Sequence, residues 1–150
     1  LCKGDKESEA NIEQLIRSND TLFKYHLDRY KYANRFIDND RESHKASART
    51  ILVEWNSMLS LESSDNWLLN GRETLADWAL WPFVRQYRLV DPISFDNDQD
   101  LNQLSKWLRY YLNNPKFDIL MAKSIPWQPG QTKKYFPPRE KNILTVKSRF

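Results

Sequence analysis

The sequence is poor in the residues on which small-molecule and metal chemistry most often rests. Cys2 is the single cysteine, so an intrachain disulfide is excluded, which fits a reducing compartment. His26 and His44 lie far apart, and nothing has the Cys/His spacing of a metal site. Glycine occurs only at positions 4, 71 and 130, too sparsely for a Gly-rich phosphate loop or a sheet full of tight turns. No apolar run approaches the roughly 18 residues of a membrane span, and the start does not look like a signal peptide. No membrane partner is expected, and the default reading of location is cytoplasmic. Nucleophile-elbow, Walker-type, dinucleotide-binding and zinc-protease patterns are all missing. Cys2 has no evident base beside it, and His26, flanked by Tyr25 and Leu27, reads as a packed or solvated side chain. No catalytic residue is assigned.

What the chain does have is aromatic and apolar residues at helical spacing. Six Trp, seven Tyr and seven Phe accompany 40% hydrophobic and 29% charged residues, the balance of a globular domain with a sizeable core. Residues 1–10 are polar and read as linker or frayed end. Ile12, Leu15 and Ile16 form a short apolar face, and Ser18-Asn19-Asp20 offers capping oxygens for a second helix from about Asp20 to Ile37. That helix carries two stripes: Phe23, Leu27, Tyr30 and Ile37 on one side, and Tyr25, Arg29, Tyr32 and Phe36 on the other. Positions 23 and 25 stand about 200° apart on a helix. The bland reading is a helix enclosed on both sides; the sharper one gives Tyr25, Arg29 and Tyr32 a cleft or a partner to face.

Ala48, Ile51, Leu52, Trp55, Met58 and Leu59 mark a third helix over about 38–61. After a loop at 63–66 and a short buried segment at 67–69, Thr74-Leu75-Ala76-Asp77 has the spacing of a capping box, in which Thr74 takes the Asp77 amide and Asp77 the Thr74 amide. Leu75, Trp78, Ala79, Pro82, Phe83 and Gln86 give the next helix its stripe, with Pro82 expected to kink it. Asp91-Pro92 ends it. An acidic start at 96–100 opens another helix with Leu101, Leu104, Leu108, Tyr111 and Leu112 inward, and Asn113-Asn114-Pro115 stops it. A last helix, Pro115 to Lys123, turns Phe117 and Leu120 inward. Beyond it, Pro126, Pro129, Pro137 and Pro138 rule out regular structure for most of 124–150. Lys133, Lys134, Arg139, Lys141, Lys147 and Arg149 oppose Glu140 alone there, so the net charge of +3 belongs to the tail. A solvated end is the preferred reading of that tail over nucleic-acid binding.

Several segments resemble the helical domain of cytosolic glutathione transferases. Thr74-Leu75-Ala76-Asp77-Trp78-Ala79-Leu80-Trp81-Pro82-Phe83-Val84-Arg85 is similar to the element that opens that family's buried core helix, and Trp67-Leu68-Leu69-Asn70-Gly71 resembles its lead-in. Leu104, Trp107, Leu108, Pro115 and Phe117 resemble a later helix, while Phe23 to Tyr32 and Trp127-Gln128-Pro129-Gly130 resemble a bacterial-type branch. Together the pieces cover about residues 12 to 137, in the family's order.

The resemblance implies an all-α helical bundle over 1–123, followed by an irregular Pro-rich basic tail over 124–150. It implies a dimer in many members and a hydrophobic-substrate face on the first long helix, for which Tyr25, Arg29 and Tyr32 are the candidates. Glutathione would be the co-substrate, held with its activating residue by an N-terminal thioredoxin-like domain, and no cofactor would be bound firmly. The chain shows no βαβ stretch, no Cys-x-x-Cys and no room for that domain, and it opens on Leu1 rather than Met. The expectation is therefore the substrate-side half of a conjugating enzyme, inactive when isolated, whose partner is that missing domain or a second subunit. The alternative is a non-catalytic protein–protein interaction module of the same fold.

Overall fold

A computed structural model describes residues 6–37, 40–61, 67–69, 71–122 and 126–133. Among these every regular element is helical. The helices are α1 (Lys6–Ser18), α2 (Lys24–Lys31), α3 (Arg41–Leu61), α4 (Leu75–Val90), α5 (Pro92–Asp96), α6 (Asn102–Leu112) and α7 (Pro115–Met121). The chain divides into two compact units, residues 1–118 and 119–150.

The first unit opens differently from the sequence expectation. α1 starts at Lys6, inside the stretch assigned to a linker, and the expected cap at Ser18 is itself helical, with φ −59° and ψ −43°. A wide π turn over Asn19–Phe23 joins α1 to α2. The reason lies in the spacing of Leu15, Asn19, Phe23 and Leu27, all buried. Steps of four drift about 40° each on an α-helix, and a wider turn takes back part of that drift, so the four stay on one side. Asn19 is the polar member of the row; its Nδ2 donates to Asp20 Oδ1 at 3.1 Å while its Oδ1 meets no partner. α2 stops at Lys31, earlier than expected, because Tyr32 leaves the helical region (φ −118°, ψ 41°) for a 3-10 turn at Ala33–Arg35. Ile37 consequently lies 94% exposed instead of on the core stripe.

Ala48, Leu52, Trp55 and Leu59 bury the inner face of α3. On α4 the buried residues are Ala76, Asp77, Leu80, Trp81, Val84 and Tyr87, one step round from the expected stripe, and Leu75 is exposed. α4 is apolar over most of its circumference, so periodicity alone does not choose a side. Pro82 sits inside it. The acidic run before α6 serves other ends than that helix's dipole: Arg49 grips Asp98 through two bonds of 2.6 and 2.8 Å and reaches Asp100 at 2.6 Å, and Arg88 holds Asp96. The Leu104 amide instead donates to Asn56 Oδ1 of α3 at 2.9 Å. Short helix α5, unforeseen, is capped by Asp91, which accepts from the Ser94 amide.

Two aromatic groups fill the core. Phe23, Trp55, Tyr30, Tyr87 and Phe95 link α2 through α5 with ring centroids 5.0 to 6.3 Å apart. Tyr111 of α6 is stacked on Trp81 at 5.6 Å and edge-on to Trp78 and Trp107. Such contacts add about 0.5–1.5 kcal/mol each beyond burial. The second unit contributes the end of α7, where Leu120 is exposed rather than inward, and an irregular stretch with a turn at 129–130 in which Gly130 adopts φ 90°. Residues 134–150, with most of the basic tail, lie outside the described residues.

Candidate functional site

The face of α2 turned away from the core carries the residues singled out in the sequence. Tyr25 is 47% exposed, and Arg29, one turn on, lays its guanidinium 3.6 Å from the Tyr25 ring and 4.5 Å from that of Phe36. The i, i+4 spacing makes the first contact and the 3-10 turn after α2 brings Phe36 back for the second. Tyr32 stands apart from this pair. Its ring lies between Lys31, 4.7 Å away, and Arg35, 4.2 Å away. The structure thus joins Tyr25, Arg29 and Phe36, and places Tyr32 in a neighbouring cluster.

Beside Tyr25 lies a pair that sequence distance concealed. His26 of α2 and His44 of α3 meet with Nδ1 atoms 2.8 Å apart, and the Tyr25 ring stands edge-on to both imidazoles. At that separation one Nδ1 donates and the other accepts, so one proton lies between them. Burial, then the nearness of His44 and of Arg29, lowers the His26 pKa below 6.5. The helix–turn–helix return puts positions 26 and 44 side by side; their separation along the chain holds no signal of it. Among the described residues no three His, Cys, Asp or Glu side chains converge as a metal would require.

Two concavities flank this face. A groove of about 300 Å³ is lined by Lys31, Tyr32, Ala33, Asn34, Arg35 and Arg41. A cleft of about 230 Å³ runs between α1 and α3, with Asn11, Gln14, Glu54, Trp55 and Met58 among its walls.

Thr74 and Asp77 form the other candidate constellation. Both halves of a capping box are present at the start of α4, and the Thr74 amide donates to Asp77 Oδ2 at 2.9 Å. The carboxylate does more than cap. The Thr74 hydroxyl donates to Oδ2 at 2.8 Å, while the Leu68 amide and Trp107 Nε1 donate to Oδ1 at 3.1 and 3.0 Å. Fully buried and surrounded by four donors, Asp77 is closed to any substrate. Burial also pushes the Tyr87 and Tyr111 hydroxyls well above the usual phenol range, which withdraws both from proton transfer near neutrality. The exposed surface of α2 therefore offers rings and cations, chemistry suited to holding a ligand.

A family model described as glutathione S-transferase, C-terminal domain, matches residues 25–111, a span from the exposed face of α2 to Tyr111. No curated protein and no solved structure matches the chain.

Proposed function

The chain belongs to the glutathione S-transferase C-terminal domain family, and from that premise we propose that it supplies the hydrophobic-substrate side of a glutathione-conjugating enzyme. The observation that carries the reading is the Tyr25–Arg29–Phe36 face, a partly exposed aromatic surface with a cation fixed on it. Rings present a large apolar area with little rotamer entropy to lose, and a guanidinium held against them can meet an electron-rich substituent of a planar electrophile. Glutathione is the co-substrate of this reading, with its thiol activated by a residue of a thioredoxin-like domain. That domain or a second subunit is the partner we assign, and the cytoplasm the setting. Leu22, 56% exposed, adds an apolar side chain next to Tyr25's helix for such a partner to cover. The same exposure supports the second reading, an interaction module without catalysis.

The test pairs two titrations on the full chain: reduced glutathione by calorimetry, and a nitroaromatic electrophile, 2,4-dinitrochlorobenzene, by tryptophan quenching. Glutathione should give no saturable heat. The nitroaromatic should quench saturably, and Tyr25→Ala should weaken it about tenfold, the loss of roughly one ring contact. Saturable glutathione binding, or a Tyr25→Ala chain that binds the nitroaromatic as well as the unaltered one, would overturn the reading. Light scattering then separates the second reading, which expects self-association with no affinity for the nitroaromatic.

A further inference from the structure

The groove at the end of α2 is cationic in an ordered way. Lys31 and Arg35 lie on opposite sides of the Tyr32 ring, and Arg41, the first residue of α3, lies 4.5 Å from the Tyr30 ring. Each of the three long side chains thus rests on an aromatic surface, which reduces the freedom it has left to lose on meeting a ligand. Lys31 donates to Gln86 Oε1 at 2.9 Å, a neutral partner that positions the ammonium and leaves its charge uncancelled. Arg41 holds Glu42 at 3.0 Å on the exposed side. Among the described residues no carboxylate pairs with Lys31 or Arg35, and none lines the groove. The carbonyls at this chain reversal are partly occupied too: Asp28, Tyr32 and Ala33 oxygens accept from the Tyr32, Arg35 and Phe36 amides.

We propose that this groove is a binding site for a phosphate monoester dianion. Three cations approaching from separate residues suit the several oxygens of a phosphate better than a planar carboxylate, which one guanidinium saturates. The volume of about 300 Å³ accommodates the phosphate with a small organic body beside the Tyr32 ring. This goes beyond the conjugating role and does not depend on it, since neither Tyr25 nor Arg29 enters.

Inorganic phosphate is the probe, followed by amide and side-chain NMR shifts of the full chain at low ionic strength. The expected result is a saturable shift confined to residues 31–41, weakened about tenfold by Arg35→Gln and similarly by Lys31→Gln, each removing one charge-assisted bond. Arg17→Gln, an equal loss of charge on α1, should leave the affinity unchanged. Glu42→Gln, which releases Arg41 from its carboxylate, should strengthen it. Absence of saturation overturns the site, as does an Arg35→Gln chain of unaltered affinity. Acetate shifting the same residues at the same concentrations would overturn the assignment to phosphate, leaving only counterion accumulation.

Discussion

At the scale of single residues, the His26–His44 pair shows how much of a surface depends on protons. The native pair accommodates one proton between its Nδ1 atoms, and a second forces two donors against each other. Tyr25 and Arg29 on α2 and His44 on α3 face His26, and none of them supplies a negative charge to offset protonation. The native pKa therefore lies below 6.5, the unfolded chain takes its proton first as pH falls, and stability contributed by the neutral form is complete above 6.5 and lost below it. The thermal midpoint should decline as pH is lowered through 6.5, and His26→Asn should flatten that decline. A variant with an undiminished slope would remove the pair as its source. Asp91, Asp96 and Asp98, held below the ordinary 3.8 by their hydrogen-bond donors, act only in a far more acidic range. Sequence reading marked Tyr25, Arg29 and Tyr32 but not their neighbours. The i, i+4 rule makes Tyr25–Arg29 legible, whereas His44, Arg41 and Phe36 arrive through chain reversal, which periodicity does not encode.

At the scale of elements, α4 is the piece most legible and most instructive. Its start was fixed by Thr74 and Asp77, and its end by Asp91-Pro92, because caps and prolines are local chemistry. Its buried side was misjudged because nearly every side is apolar, and the arbiter is Asp77. A carboxylate that must meet Leu68 and Trp107 from inside the protein orients the whole helix around it. Asp77→Ala leaves three N–H donors without a partner in the core, and should cost about 3–5 kcal/mol, the range for breaking a buried charged contact. Denaturant unfolding measures it. A loss nearer 1 kcal/mol would mean that Asp77 acts as a helix cap alone. α1 and α2 went the other way: Ser18-Asn19-Asp20 has the composition of a helix start, and the burial of Asn19 and Phe23 overrides it.

At the scale of the molecule, the helical class and the family were legible because several short patterns recurred in order, each weak alone. The burial is uneven along that order. Leu52, Trp55, Leu80, Val84, Leu104 and Leu108 are at most 1% exposed, whereas α7 buries nothing and α1 only Leu15. Amide exchange should therefore be slowest in α3, α4 and α6 and fastest in α5, α7 and the first turns of α1. Uniform protection from α1 to α7 would contradict a core centred on those three helices.

The π turn at Asn19–Phe23 carries a consequence for how such a chain can change by insertion and deletion. A π turn holds one residue more than the α turn it replaces. Deleting one residue within 19–23 would let the helix close into regular α geometry while rotating everything beyond it by about 100° relative to α1. Phe23, Leu27 and Tyr30 would leave the core as one set, and Tyr25 and Arg29 would turn with them. A one-residue deletion here, unlike one in an exposed turn, would re-aim an entire face, so the length of this segment constrains the protein as strictly as the identity of any side chain in it.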